Sequence, residues 1–294
     1  MAPAPDDPAG RARARRVVRA LLGAEHAART SPLGAGTDHE VYDIGGAFVL
    51  RIPKGGGGSA GGHDREARLL DLVRSVSPVP VPEVVAHDRA SGALVLRRLP
   101  GTSLLDEPPP QPEALVDQLA GFLASLHGLP RSRVEAVAVP DPYPLPASLA
   151  EVAAALPGIA ALLDVEQRRL VEAFLAAPPP PEPSATLLCH NDLGAEHLLA
   201  APDRATLTGV IDWSDAALAD PARDLGRLYR DLGPAAAAGI LQRLAPPAAE
   251  ALWRRAAFHA RCALIEDLAY GLESGDPRYL EAARANLART FRPA

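Results

Sequence analysis

A chain of 294 residues, 48% hydrophobic and 22% charged, is long and apolar enough for a good core in one large domain or two lobes. Its net charge of −6 argues against nucleic acid as the partner, and no run reads as a bilayer-spanning helix. Arg11, Arg13, Arg15 and Arg16 precede no apolar signal segment, and Cys189 and Cys262 sit among apolar neighbours. A monomer in the reducing cytoplasm, with no membrane partner, is therefore expected.

Residues 1–10, rich in Ala, Pro and Asp, are expected to be disordered. Residues 11–22 suit an amphipathic helix stopped by Gly23. Residues 33–42 read as strand, tight turn and strand, with Gly34 and Gly36 at the turn. Gly45-Gly46 then turns the chain into a third strand ending near Ile52. A glycine hairpin lets backbone N–H groups approach phosphates, although the Gly-Lys-Ser/Thr ending of a P-loop is missing.

Arg51 is the one charge in the apolar strand Phe48-Val49-Leu50-Arg51-Ile52, and Glu66 opens a helix over 65–73. Residues 55–62, GGGGSAGG, read as a flexible connector between them. Two further strands are expected over 81–87 and 93–99, followed by a helix over 113–129 whose His127 reads as a packing histidine. Pro-rich loops at 140–146 and 178–183 flank a helical region over 149–177. The C-terminal part predicts a helix over 253–271, a turn over 272–276 and a last helix over 277–290. Glu266 and Asp267 near the end of the first would suit an amine-rich ligand if they face one.

The most informative stretch is 187–224, LLCHNDLGAEHLLAAPDRATLTGVIDWSDAALADPARD. It places His190-Asn191-Asp192, and His197 five residues after Asp192, before a turn of composition Ala-Pro-Asp-Arg. The alternating and β-branched residues 206–211 then lead to Asp212-Trp213. Asp192 is expected in a loop before one strand of a hairpin and Asp212 at the end of the other. A lone Asp in a loop often caps a turn. Two acids flanking a hairpin suit phosphoryl transfer, which needs a carboxylate near the attacking hydroxyl and hard ligands for a metal on the nucleotide phosphates. Asp220 and Asp224 read as holders of backbone N–H groups, Asp215 as a neighbour of Asp212, and Cys189 as core.

On these motifs the chain resembles the antibiotic phosphotransferases with a protein-kinase-like fold, the aminoglycoside and macrolide kinases. The resemblance spans about residues 31–290 and is most specific in 187–224. It implies an α/β, bilobal protein-kinase-like fold: a small antiparallel-sheet N-lobe over 11–96 and a mainly helical C-lobe over 97–294, with nucleotide between them. It implies Asp192 as the catalytic carboxylate, and Asp212 and His197 as ligands of Mg²⁺. It also implies Gly34, Gly36, Arg51, Glu66 and Leu96 as contacts or supports of ATP or GTP, with 97–101 as the hinge. Two residues depart from the commoner pattern: His197 stands where Asn is usual, and Arg51 where Lys is usual.

The implied activity is transfer of a γ-phosphate to a hydroxyl of an aminoglycoside-, peptide- or macrolide-type antibiotic. A metabolite kinase acting on an amino alcohol or sugar, and a non-catalytic nucleotide-binding relative, are the alternatives. Protein kinase activity is disfavoured because no Ala-Pro-Glu segment follows Ile211-Asp212-Trp213.

Overall fold

The computed structural model describes residues 7–35, 39–54, 60–141, 143–246 and 248–292. The chain divides into two compact units, Met1–Pro100 and Gly101–Ala294. The division falls four residues later than the expected boundary after residue 96. Hydrogen bonds tie the next residues to the first sheet: Arg97 N–H donates to the Glu83 carbonyl (2.8 Å) and Arg98 N–H to that of Ala47 (3.0 Å). Arg98 also pairs with Asp43 at 2.6 Å.

In the first unit, α1 (Pro8–Leu22) starts earlier than expected, because Asp7 accepts N–H bonds from Ala9 and Gly10 and Pro8 suits the first turn. Residues 8–10 are thus helical rather than disordered, and residues 1–6 lie outside the described residues. A short α2 (Ala24–Ala28) leads into β1 (Thr30–Ala35), β2 (His39–Ile44) and β3 (Phe48–Pro53). After α3 (Ala60–Arg74) come β4 (Val84–Asp88) and β5 (Ala93–Arg97). All neighbouring strands are antiparallel, in the order β1-β2-β3-β5-β4. The expected connector over 55–62 is shorter, since residues 60–62 belong to α3; residues 55–59 are outside the described set.

Strand alternation sorts the sheet's residues into two faces. Tyr42, Ile44, Leu50, Ile52, Ala93 and Val95 form one core cluster with Ala14 and Val18 of α1. The opposite parity carries the candidate nucleotide residues. Gly34 pairs with Val41, Val41 with Arg51, Arg51 with Leu94 and Val49 with Leu96, so Gly34, Arg51 and Leu96 share the other face.

In the second unit, β6 (Thr102–Ser103) is followed by α4 (Val116–His127), α5 (Arg131–Glu135), α6 (Leu145–Ile159) and α7 (Val165–Ala176). Then come β7 (Leu187–Cys189), β8 (Leu198–Ala200), β9 (Leu207–Val210) and β10 (Ala217–Ala219). β8 and β9 form the expected hairpin, with β6 on its outer edge, and β7 pairs with β10. Asp203 closes the hairpin turn by accepting the N–H groups of Ala205 and Thr206, each at 3.0 Å.

Four helices complete the unit: α8 (Ala222–Leu232), α9 (Pro234–Leu244), α10 (Ala249–Ser274) and α11 (Pro277–Phe291). Leu145, Val152, Ile159, Val171, Phe258, Ile265, Leu268 and Leu287 join α6, α7, α10 and α11 in one core. α8 lies tight on α10 because Gly226 has no side chain: a Cβ there would stand 2.7 Å from the His259 Cβ and 2.9 Å from the Ala256 carbonyl oxygen.

One expectation needs correction. The 18-residue window Leu145–Leu162 has a mean hydropathy of 1.6, so a helix of bilayer-spanning length and apolarity is present. Its length hides in the sequence because alanines and Pro157 dilute the larger residues; Leu145, Val152 and Ile159 turn one stripe of it into the core.

Candidate active site

Register brings the first pair of candidate residues together. Arg51 alternates with Leu50 and Ile52, so its side chain leaves the α1 core and meets α3. There its Nη1 donates to Glu66 Oε1 at 2.6 Å, and its Nη2 donates to His39 Nδ1 at 3.3 Å. Arg51 is only 7% exposed, so the pair is largely shielded from water. Leu96 lies on the same face, 5% exposed and paired on both sides within the sheet. Gly34 follows an irregularity in the β1–β2 register, and Gly36 lies outside the described residues. His39, which the sequence reading passed over, is found only through its bond to Arg51.

In the second unit the chain leaves β7 through a loop whose backbone is strained. Asn191 has φ 72°, in the left-handed region that side chains disfavour. Asp224 holds that turn, its two carboxylate oxygens accepting the N–H groups of His190 (2.9 Å) and Asn191 (2.8 Å). Burial pushes the Asp224 carboxyl up to about 6, even though both bonds favour the charged form. His190 is fully buried, packed edge-on to Trp213 at 4.7 Å, and donates Nε2–H to the Ile211 carbonyl at 3.0 Å. Burial lowers its pKa to about 4, so it is a neutral strut between the two acidic segments.

The loop and hairpin then bring Asp192, His197 and Asp212 together. His197 donates Nδ1–H to the backbone carbonyl of Asp192 at 2.8 Å, which points Nε2 toward Asp212, whose Oδ2 is 3.8 Å away. Asp212 has φ 61°, a second left-handed residue, and accepts the Ser214 hydroxyl at 2.8 Å. Ligand atoms of Asp192, Glu196 and His197 also converge within 4.8 Å of one another. Glu196 was not singled out from sequence, although it adjoins His197. Imidazole and carboxylate donors of this kind suit a divalent cation.

Burial disfavours a charged Asp192, but the guanidinium of Arg227, helped by His197, outweighs it and holds the carboxyl below its ordinary range. Burial likewise opposes a charged His197, and the carboxylates of Asp192, Glu196 and Asp212 outweigh it and raise its pKa. Arg227 stands 3.4 Å from Asp192 Oδ1 and 3.2 Å from Glu266 Oε2. Beneath the loop, Arg230 is 1% exposed and meets Glu196 (3.3 Å), Asp231 (2.7 Å) and Asp267 (3.0 Å). Asp231 in turn accepts the Ala195 N–H at 2.7 Å, so this ionic cluster anchors the loop between Asp192 and His197.

The remaining candidates fall into structural places. Asp220 caps Ala222 N–H and binds the Arg255 guanidinium at 2.7 Å. Cys189 is fully buried, and burial raises its thiol well above the ordinary range, so it is no nucleophile. His127 is desolvated and pushed down to about 4.

The family profile described as the Phosphotransferase enzyme family matches residues 29–259. The chain is 31% identical over 185 residues to the aminoglycoside 3'-phosphotransferase of Streptomyces fradiae, a match covering 56% of this chain and 66% of that enzyme. It is 35% identical over 114 residues to the N-acetylmuramate/N-acetylglucosamine kinase of Caulobacter vibrioides, covering 34% of this chain and 31% of that one. Among solved structures, the GDP and kanamycin complex of APH(2")-IIia superposes with a TM-score of 0.65 at 24% identity, over 89% of this chain and 92% of that one. With a five-stranded antiparallel sheet in one unit and a mainly helical second unit, the fold is the expected protein-kinase-like one. With 29–259 covered by the family profile, the chain belongs to the Phosphotransferase enzyme family.

Proposed function

We propose that the protein is a cytoplasmic, monomeric small-molecule kinase. It transfers the γ-phosphate of ATP or GTP to a hydroxyl of an antibiotic of aminoglycoside, peptide or macrolide type. The observation that carries this reading is the convergence of Asp192, His197 and Asp212 beside a cavity of about 550 Å³ that Asp192 lines. Asp192, kept ionised by Arg227, accepts the proton of the acceptor hydroxyl and orients its oxygen. Arg51, fixed by Glu66 and His39, neutralises phosphate oxygens of the donor, and Gly34 and Leu96 line the same sheet face for the nucleotide.

Asp212 and the Nε2 of His197 would hold Mg²⁺, and the donor set fits a hard divalent cation with one imidazole. When bound, the cation spreads the charge of the donor's β- and γ-phosphates. The Nδ1–H bond of His197 to the Asp192 carbonyl fixes the ring, so that in the neutral imidazole the Nε2 lone pair faces Asp212 without rearrangement. Positioning and electrostatics carry most of the rate in such a site.

A second reading, a sugar kinase, is favoured by the 35% identity to the N-acetylmuramate/N-acetylglucosamine kinase. A screen of nucleotide consumption by purified protein, with ATP and GTP against antibiotics and free sugars, tests both. Consumption stimulated by an antibiotic supports the first reading, stimulation by sugars alone replaces it with the second, and no stimulation by any acceptor overturns both.

A further inference from the structure

The cavity that Asp192 lines lies within the second unit, and one of its walls is made by Val139, Pro140 and Asp141. That wall is fixed at several points. Leu218 N–H donates to the Val139 carbonyl at 2.9 Å, and Asp141 N–H donates to that of Leu218 at 3.0 Å. Asp141 Oδ2 accepts Asn191 Nδ2–H (2.8 Å) and Arg223 Nη1–H (2.7 Å). Arg223 Nη1 also donates to Asn191 Oδ1 at 3.2 Å, which ties the wall to the residue before Asp192.

Tyr143 stands at the end of this wall and is 44% exposed, so its ring adds little to the core. Its attachments are nonetheless complete. Its N–H donates to Asp141 Oδ1 at 2.9 Å, its carbonyl accepts Arg223 Nη2–H at 3.1 Å, and its hydroxyl donates to Glu151 of α6. The guanidinium of Arg223, itself a lining residue of the cavity, lies 6.0 Å from the ring centroid. The bond to Glu151 raises the Tyr143 hydroxyl above its ordinary pKa, and the charge of Glu266 adds to this, so the ring lies in the field of the acid that pairs with Arg227.

An exposed side chain ordinarily keeps its rotamer freedom, and a ligand that packs on it must take that freedom away. The Tyr143 ring is already held at both its backbone and its hydroxyl, so it offers a flat surface at little further cost in entropy. The face of such a ring carries partial negative charge. A pyranose turns the weakly positive C–H groups of one side toward a surface of this kind and keeps its hydroxyls at the rim.

We propose that Tyr143 binds the acceptor, a sugar ring of which packs on its face while Asp192 meets one of the acceptor's hydroxyls. This assignment rests on the reading of Asp192 as the group that meets the acceptor, and within it narrows the acceptor to compounds that bear a sugar ring. The contact is made to C–H groups, so it serves amino sugars and neutral sugars alike.

The test measures phosphate transfer to kanamycin, erythromycin, N-acetylglucosamine and the sugar-free cyclic peptide viomycin, in the wild type, Tyr143→Ala and Tyr143→Phe. A sugar-bearing compound should be the best acceptor. For that compound, Tyr143→Ala should raise KM by about tenfold, the scale of one aromatic contact, and leave kcat within about twofold. Tyr143→Phe keeps the ring, loses only an exposed bond to Glu151, and should hold KM within about threefold of wild type. KM does not depend on the folded fraction, so a partly unfolded variant still reports. A tyrosine that merely clasps α6 would make Phe as harmful as Ala and lower the unfolding midpoint in both. That pattern, an unchanged KM in Tyr143→Ala, or viomycin as the best acceptor overturns the proposal and leaves the kinase reading standing. No transfer to any acceptor by the wild type overturns the kinase reading, and this assignment with it.

Discussion

In the first unit one ion pair, Arg51–Glu66 at 2.6 Å, carries the candidate chemistry on an otherwise apolar strand. In the second unit a single buried guanidinium, Arg230, meets three carboxylates, while a neighbouring one, Arg227, bridges two more. The difference follows from what holds each backbone. Arg51 sits in a regular strand with a neighbour on each side, so the register aims its side chain and one partner on α3 suffices. Asp192 and Asp212 sit in loops, and their segment contains three non-glycine residues with positive φ, Asn191, Arg204 and Asp212. Such residues cost of order 1–3 kcal/mol each. Asp224, His190, Asp231 and Arg230 supply the bonds that offset that strain. A sheet positions charge through its ladder; a loop needs a network of charges underneath it.

That contrast breaks most visibly at its functional centre. Asp192→Ala should lower phosphate transfer by about 10²- to 10⁴-fold, the usual contribution of a positioned base, and leave nucleotide affinity nearly intact. Asp212→Ala should instead weaken Mg²⁺-dependent nucleotide binding together with turnover, as calorimetry with and without Mg²⁺ would read out. If Asp192→Ala stays within about tenfold of wild type, the carboxylate is not the base.

Next in size is the network itself. Arg230→Met leaves Glu196, Asp231 and Asp267 buried without their shared cation, and should cost about 3–5 kcal/mol of unfolding free energy in denaturant titrations. A shift below about 1 kcal/mol would mean that the loop does not depend on the charges beneath it.

Arg51→Met is the matching change in the first unit and should behave differently. Losing the proposed charged hydrogen bond from Arg51 to the donor's phosphates, worth about 1.5–3 kcal/mol, should raise the nucleotide Kd by about ten- to a hundredfold. If the ladder does the positioning, the unfolding midpoint should move less than in Arg230→Met. An equal or larger destabilisation would erase the distinction between the two units.

The smallest effect concerns His197. Its neighbouring carboxylates raise its pKa above the ordinary 6.5, and a protonated imidazole cannot bind a metal. Metal affinity should therefore begin to fall as pH drops through a point above 6.5, the proton winning the Nε2 lone pair. His197→Asn should remain active with Mg²⁺ and lose part of this acid-side fall, because an amide oxygen does not titrate there. Metal affinity measured against pH in both proteins is the check. Superimposable profiles would assign His197 to holding the Asp192 carbonyl and nothing more.

Several elements were legible because their signals are local. Arg51 among apolar strand residues, Gly45-Gly46 between two strands and the Asp-Arg turn of the β8–β9 hairpin each mark their place within a few residues. Helix ends were less exact. α1 begins at Pro8 because Asp7 caps it, although composition alone made 1–10 look disordered. α10 runs on to Ser274, past the turn expected from residue 272, and ends at Gly275 with φ 68°. β10 was invisible, because its three residues are a strand only through pairing with β7.

By itself the sequence determined the order of elements, the pairing of Arg51 with Glu66 as a candidate, and the grouping of Asp192, His197 and Asp212 around one hairpin. These are set by short spacings, and chain geometry allows few other outcomes. Only the tertiary structure decided which acids stay available. Asp267 and Glu266 looked like ligands for amines along their helix, yet their partners, Arg230 and Arg227, lie 37 and 39 residues away on α8. The charge that a carboxylate presents depends on the nearest opposite charge in space and on how much water is left between them. Helical spacing reports neither quantity, so the pairing of Glu266 and Asp267 was decided by the packing of α8 against α10.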